Sequence, residues 1–178
     1  FSIMTIRDKR QEQFANIWMD HGRFGILNLC PRFGKIRTTI NILDRFEYNQ
    51  HILIAYPDNK IKQAWIDEFE LMGYKNENVM YTTHRSLHKH VDTWDIIIID
   101  ECHRGGANDE SNWRAIMEYF SPAVQIGLTA TPKRDKNIDT YRYFGEPVYI
   151  YSLKEGINDG FLTPFRVKQI HTTIDEYL

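Results

Sequence analysis

Cysteine is scarce in this sequence, and hydrophobic residues never form a long run. The 178 residues include only two cysteines, Cys30 and Cys102, which excludes a disulfide framework. The sequence has no Cys-x-x-Cys pair, so we do not expect a structural zinc site. No apolar run approaches the roughly 20 residues that a membrane-spanning helix needs. We therefore expect a reduced, cytoplasmic setting and no association with a membrane.

An excess of charge of one sign is also absent. Lys and Arg number 22 and Asp and Glu number 24, which gives a net charge of −2. The chain thus lacks the strongly basic balance of many nucleic-acid-binding domains, although a basic groove can exist locally. No Gly/Ser-rich or Pro-rich stretch divides the chain, and 42% of its residues are hydrophobic. This composition predicts one domain around one core.

Short apolar runs alternate with amphipathic stretches. Strands are predicted over Phe24–Leu29, His51–Tyr56, Asn78–Tyr81, Asp95–Ile99 and Ala123–Leu128. Helices are predicted within the first 20 residues and over Thr38–Phe46, Lys60–Leu71 and Asn112–Phe120. The alternation is typical of parallel βαβ units, and the four isoleucines Ile96–Ile99 fit a strand that is covered on both faces. We predict an α/β fold with a doubly wound, mainly parallel sheet and helices on both faces.

A Gly-Lys pair, Gly34 and Lys35, follows the first strand and precedes a helix. This is the layout of a P-loop, in which backbone N–H groups and a helix N-terminus bind phosphate and the Lys reaches the terminal phosphates. The match is incomplete, because the full pattern has Gly where Leu29 stands and Ser or Thr where Ile36 stands. Taken alone, the pair is also compatible with an exposed lysine at an ordinary helix start.

Two adjacent carboxylates, Asp100 and Glu101, follow the run of isoleucines. Burying them is costly unless a positive group faces them, and Mg²⁺ with substrate phosphates in its shell would meet that need. Asp100 would then face the metal, and Glu101 would lie where a water molecule can be positioned or deprotonated. An isolated Asp-Glu pair is more often solvated. We favour the functional interpretation here, because a P-loop candidate lies about 65 residues upstream.

Five segments together resemble the first motor domain of superfamily 2 helicases and nucleic-acid translocases. They are Cys30–Lys35 (motif I), Ile52–Pro57 (motif Ia), Tyr81–Leu87 (a DNA-contact motif), Asp100–His103 (motif II) and Leu128–Pro132 (motif III). Their order and spacing match across nearly the whole chain. Residues 143–164 resemble the end of this domain in the branch that holds the motor subunits of type I and type III restriction enzymes and phage branch-migration helicases.

The resemblance implies an ATP and Mg²⁺ site. ATP would be bound by Pro31, Arg32, Phe33, Gly34, Lys35, Ile36 and Arg37. Lys35 would bind the β- and γ-phosphates, Asp100 would hold Mg²⁺ mostly through water, and Glu101 would orient or activate the attacking water. The segment Ile6–Glu12, including Arg7, resembles the adenine-reading segment of the family. Members usually have Gln where Arg10 stands, and Gln11 is the nearest candidate.

The resemblance also implies residues for coupling and for DNA. Those that would couple hydrolysis to movement are His103, Thr129 and Thr131. Those that would lie near the nucleic-acid backbone are Pro57, Asn59, Lys60, Thr83 and Arg85. In its complete form, such an enzyme would use ATP hydrolysis to move along duplex or branched DNA, binding it without sequence preference. A different P-loop enzyme, such as a small kinase, is not favoured, because the alternating threonines of motif III have no role there.

The implied organisation has three parts. Residues 1–20 would be a flanking helix on the adenine side, residues 21–164 a RecA-like ATP-binding motor domain, and residues 165–178 a strand leading to a second RecA-like domain. That second domain would supply an arginine finger, which can be worth 10³–10⁵ in rate. The sequence begins with Phe1 rather than Met. We therefore expect a piece of a longer protein that hydrolyses ATP poorly on its own.

Two positions depart from the family pattern. Ile36 stands where a Thr usually donates its hydroxyl to Mg²⁺, and Thr38 lies about 200° further around the helix, so it should not substitute. Arg32 stands where Gly is usual, and we expect an ordinary backbone conformation for it. Nucleotide binding need not be lost, but hydrolysis could slow. An alternative therefore stays open, namely a non-catalytic relative that binds nucleic acid or docks a partner and has lost its ATPase activity.

Replacing Ile36 by Thr tests this account of the loop. Restoring the hydroxyl is expected to strengthen Mg²⁺-dependent nucleotide binding, because Thr would supply the missing ligand. The measurement is an equilibrium titration of ATP with and without Mg²⁺ against both proteins. If Ile36→Thr leaves the Mg²⁺-dependent affinity unchanged, the assigned register of the loop is wrong.

Overall fold

The structure, a computed structural model, describes residues 3–47, 49–104, 110–130, 143–160 and 162–164. Within them lies one sheet of six strands in the order β3-β2-β4-β5-β1-β6. The strands are β1 (Phe24–Leu29), β2 (Ile52–Tyr56), β3 (Val79–Thr83), β4 (Ile96–Ile99), β5 (Val124–Thr129) and β6 (Tyr149–Tyr151). Every neighbouring pair is parallel. All carboxyl ends therefore lie at the same edge of the sheet.

Five α-helices accompany the sheet in the described residues. They are α1 (Ile6–Asp20), α2 (Lys35–Leu43), α3 (Lys60–Leu71), α4 (Glu110–Tyr119) and α5 (Leu153–Asn158). Short 3₁₀ helices cover His84–Lys89 and Cys102–Arg104. No helix in the described part of the chain combines the length and the apolar character needed to cross a membrane.

Packing on both faces of the sheet explains the run of isoleucines. In β4, Ile96 and Ile98 belong to the core under α1, α2 and α3, whereas Ile97 and Ile99 belong to the core under α4 and the 3₁₀ helix at His84–Lys89. All four are at most 1% exposed. Each buried isoleucine side chain contributes roughly 1.5–3 kcal/mol to stability. The predicted α/β class, with helices on both faces, is confirmed.

Most predicted elements lie within three residues of the observed bounds, and β1 and α3 have the predicted bounds. The largest shift is in α2, which begins at Lys35 rather than Thr38 because its first turn continues directly from the loop at Gly34. The sequence analysis missed β6 and α5. With three residues, β6 is too short to show periodicity, but the reciprocal Ser152–Glu155 cap of α5 was a usable signal. The predicted outgoing strand over residues 165–178 lies outside the described residues.

Gly25 in β1 is expected to be intolerant of a side chain. Its φ is +134°, and an added Cβ would lie 2.5 Å from Cγ2 of Val148. Strain and overlap together should lower the free energy of unfolding of Gly25→Ala by about 3 kcal/mol in chemical denaturation.

Gly160→Ala is the matched control. Its φ is +83°, but nothing lies within 4 Å of an added Cβ, so only about 1 kcal/mol should be lost. Equal losses for the two variants would show that the contact with Val148 has no effect.

Candidate nucleotide and metal site

The loop between β1 and α2 turns through two residues with left-handed backbone conformation. Gly34 has a φ of +93° and Arg32 a φ of +65°. The expectation of an ordinary conformation for Arg32 is therefore wrong. A non-glycine residue in the left-handed region costs roughly 1–2 kcal/mol, which neighbouring contacts must offset.

Contacts from α1 supply that support. Gln11, only 2% exposed, donates from Nε2 to the carbonyl oxygen of Phe33 at 2.8 Å, and Arg7 donates from Nη1 to that of Arg32 at 3.4 Å. The Phe33 ring is fully buried, with its centroid 4.6 Å from that of Tyr151. The side chain of Phe33 therefore faces the core, and only its backbone can contribute to a bound phosphate. The Gln11 amide nitrogen is engaged with the loop, so base reading by Gln11 stays a prediction.

A cleft of about 730 Å³ opens beside this loop. That volume lies within the range of small-molecule and cofactor sites. The predicted nucleotide-binding residues that line it are Arg7, Pro31, Arg32, Gly34, Lys35, Ile36 and Arg37. Ala64, Asp67 and Glu68 of α3 form part of the same lining. Arg37 Nε contacts Glu68 Oε2 at 2.9 Å, which joins α2 to α3 across the cleft.

Lys35 is the positive group that faces the acidic pair. Its Nζ lies 2.6 Å from Oδ1 of Asp100 and 2.7 Å from Oε1 of Glu101. Burial acts to lower the pKa of Lys35, but the two carboxylates outweigh it, and the pKa lies above its usual value. The side chain is therefore an ammonium ion at neutral pH.

Asp100 is completely buried and held at several atoms. Its backbone N–H donates to the carbonyl oxygen of Ala55 at 2.8 Å, and its Oδ2 accepts from Nε1 of Trp65 at 3.0 Å. Its carbonyl oxygen lies 2.8 Å from Nε2 of His84, which must carry the proton because a carbonyl oxygen only accepts. Oδ1 contacts Lys35 without the alignment of a hydrogen bond. Oδ1 is therefore the carboxylate oxygen that a metal would take over from Lys35.

The chemistry of these donors fits Mg²⁺ bound largely through water and phosphate oxygens. Oδ1 of Asp100 is a hard oxygen ligand of the kind that Mg²⁺ prefers. The described residues contain no group of three or more His, Cys, Asp or Glu that could hold a metal by themselves. As expected, Thr38 does not replace the missing hydroxyl, because it is buried and donates to the carbonyl oxygen of Gly34 at 3.0 Å.

Glu101 begins a short polar chain. It has a φ of +51°, and its Oε2 lies 3.4 Å from Nδ1 of His103. The same nitrogen lies 2.8 Å from the hydroxyl of Thr129 at the end of β5. Two of the three predicted coupling residues are thus brought together beside Glu101, and Thr131 lies outside the described residues. Cys102 is a small, fully buried side chain, and burial raises the pKa of its thiol.

The predicted DNA-contact residues follow two neighbouring strands. Tyr56 of β2 pairs with Thr83 of β3, so Pro57, Asn59 and Lys60 lie near Thr83 and Arg85 at one edge. Asn59, Lys60 and Arg85 are exposed. At the start of α3, Asp58 accepts from the Lys60 backbone N–H at 2.8 Å, whereas the side chain of Asn59 makes no capping bond. The role in DNA binding stays a prediction.

Sequence reasoning missed the roles of Trp65 and His84 at the site. The four-residue spacing of Trp65 and Phe69 predicts core packing, which is confirmed, but the Trp65 indole also bonds to Asp100. The four-residue spacing of His84 and His88 predicts a surface pair of histidines. This is wrong for His84, which is partly buried against Asp100, whereas His88 is exposed. Burial lowers the pKa of His84 against the opposing effect of Asp100. A buried indole N–H usually finds a partner, and this was the available signal for Trp65.

Comparison with known proteins places the chain among restriction-enzyme and helicase motors. Residues 74–134 match the family model described as type III restriction enzyme, res subunit. The chain is 57% identical to the type I restriction enzyme EcoAI endonuclease subunit of Escherichia coli, over 47% of this chain and 10% of that protein. It is 30% identical to a probable helicase of African swine fever virus, over 93% of this chain and 24% of that protein. The chain thus spans at most a quarter of the length of these relatives.

A solved structure agrees with the sequence relatives. It is a fragment of a putative HsdR subunit of a type I restriction enzyme from Vibrio vulnificus, 30% identical, with a TM-score of 0.56 over 86% of this chain and 31% of that one. The fold of this chain is therefore similar to that of a type I restriction-enzyme subunit fragment. This chain is a RecA-like motor domain of the superfamily 2 helicase family, similar to part of the endonuclease subunits of type I restriction enzymes.

Proposed function

We propose that this chain binds ATP with Mg²⁺ in the cleft beside the Gly34–Lys35 loop and that hydrolysis, in a longer protein with a second motor domain, drives movement along DNA. The observation that carries the proposal is the position of Lys35, with Nζ within 2.7 Å of both Asp100 and Glu101. A phosphate-binding lysine and an acidic pair, 65 residues apart in sequence, meet at one point.

The charges at that point suit a nucleotide–metal complex. The Lys35 ammonium could turn to the terminal phosphates, where the N–H groups at the start of α2 would also donate, while Arg7 and Arg32 add positive charge to the cleft. Mg²⁺, when bound, would neutralise phosphate charge, and Asp100 would hold it. Glu101 would orient or deprotonate the attacking water, and its left-handed backbone fixes the side chain beside Lys35.

The remaining predicted residues complete this proposal. His103 and Thr129 share a hydrogen bond beside Glu101. Together with Thr131, they would couple ATP hydrolysis at Glu101 to movement of the motor. The exposed cations Lys60 and Arg85 would contact DNA phosphates along with Pro57, Asn59 and Thr83. No observation favours the non-catalytic alternative, because Lys35, Asp100 and Glu101 are all present and in contact.

Loss of nucleotide binding in Lys35→Ala is the first test. Removing the ammonium is expected to weaken Mg²⁺–ATP binding about tenfold or more, because a hydrogen bond between charged groups is lost. Isothermal titration calorimetry of the two proteins measures the difference. Lys75→Ala, which removes an exposed lysine away from the cleft lining, is the control. Equal affinities for wild type and Lys35→Ala, or no binding by wild type at millimolar ATP, would contradict the proposed site.

DNA binding gives a separate test. Lys60→Ala is expected to weaken binding of a labelled duplex and to reduce the slope of log K against log salt concentration by about 1, the value for one lost phosphate contact. Fluorescence anisotropy at several salt concentrations measures the slope, with Lys75→Ala again as the control. An unchanged slope would remove Lys60 from the proposed DNA surface.

A further inference from the structure

Trp65 makes the only aligned hydrogen bond to the Asp100 carboxylate in the described residues. It lies in α3, on the chain between β2 and β3, and is fully buried, as is Asp100. The indole Nε1 donates to Oδ2 at 3.0 Å. An indole N–H can only donate, so it fits a carboxylate oxygen and cannot act as a metal ligand.

We propose that Trp65 is a positioning residue that fixes the rotation of the Asp100 carboxylate for metal binding, an inference that rests on the proposed function. With Oδ2 held by the indole, Oδ1 is directed to Lys35, 2.6 Å away. The carboxylate then presents one particular oxygen to the position where Mg²⁺ and phosphate would meet.

The main chain of Asp100 is already fixed, so the side-chain torsion is what remains to be set. Its N–H donates to Ala55 in the neighbouring β2, and its carbonyl oxygen accepts from His84. The backbone of Asp100 is thus held by β2 and by the 3₁₀ helix at His84–Lys89, and its Oδ2 is held by α3.

No hydroxyl near the start of α2 is available to orient this carboxylate. Ile36 supplies none next to Lys35, and the two hydroxyls that follow are engaged within the helix. Thr38 donates to the carbonyl oxygen of Gly34 at 3.0 Å, and Thr39 to that of Lys35 at 2.8 Å. The Asp100 carboxylate is therefore oriented by the Trp65 indole at Oδ2 and by the Lys35 ammonium at Oδ1.

Replacing Trp65 by Phe removes the N–H and keeps an aromatic ring in the core. Trp18→Phe is the matched control, because Trp18 is also fully buried but donates to the carbonyl oxygen of Gly25 at 3.4 Å, away from Asp100. The measurement is the ADP affinity of each protein in Mg²⁺ divided by its affinity in EDTA. This ratio should fall about tenfold in Trp65→Phe and stay at the wild-type value in Trp18→Phe, with affinities in EDTA unchanged.

An unchanged ratio in Trp65→Phe, or an equal fall in both variants, would overturn the proposal, because the bond to Asp100 would then have no specific effect on metal binding. Thermal unfolding of each variant checks that both fold.

A second measurement needs neither nucleotide nor metal. In a ¹H–¹⁵N spectrum, the indole resonance that Trp65→Phe removes belongs to Trp65. Asp100→Ala should shift that resonance strongly and leave the Trp18 indole in place.

The two measurements separate the possible failures. If the wild-type chain binds no nucleotide, the proposed function fails. If the chemical shift of the Trp65 indole does not change in Asp100→Ala, the contact between Trp65 and Asp100 is overturned. If Trp65→Phe does not fold, the Trp65 indole resonance is assigned in the wild-type protein by triple-resonance spectra, and its response to Asp100→Ala decides.

Discussion

The contact between the Lys35 ammonium and the carboxylates of Asp100 and Glu101 is the interaction on which the site depends. Removing a carboxylate as buried as Asp100 from water costs several kcal/mol unless a cation faces it closely. The contact requires the ends of β1 and β4 to approach each other across β5, which lies between them. Gly127 of β5 leaves room for its neighbours, because an added Cβ would lie only 3.0 Å from Cγ1 of Ile26 and 3.3 Å from Sγ of Cys102. The order of the strands thus brings the charges to the same edge of the sheet.

The backbone near this contact adopts conformations that need support. Arg32 and Glu101, one on each side of it, both have positive φ. On the side of Arg32, support comes from the amide of Gln11 and from the aromatic contacts of Phe33 with Phe14 and Tyr151. This explains why α1 and β6, distant in sequence, both pack beneath one loop. It also explains a buried polar residue on α1, since the Gln11 amide donates to the carbonyl oxygen of Phe33 in the loop.

Much of the fold could be predicted from the sequence, because its signals are local. The runs that form β1 and β4 and the apolar spacing of α3 identify these elements by periodicity, and the residues after each strand identify the edge where the site lies. The left-handed backbone of Arg32 could not be predicted, since it depends on contacts from α1. The bond from Trp65 to Asp100 joins residues 35 positions apart, and apolar spacing alone assigns Trp65 to the core. Local patterns thus located the site, but the contacts that orient it are tertiary.

Under the proposed function, the Lys35 contact would also couple the binding of nucleotide and metal. While Nζ lies 2.6 Å from Oδ1 of Asp100, it opposes the approach of a divalent cation to that carboxylate and is held away from a phosphate. A nucleotide that drew Nζ away would uncover the carboxylate, and a cation that took the carboxylate would release Nζ. Each ligand would thus lower the free-energy cost of binding the other, and linkage would make this effect equal in both directions. Lys35 would then favour the metal–nucleotide complex over either component alone.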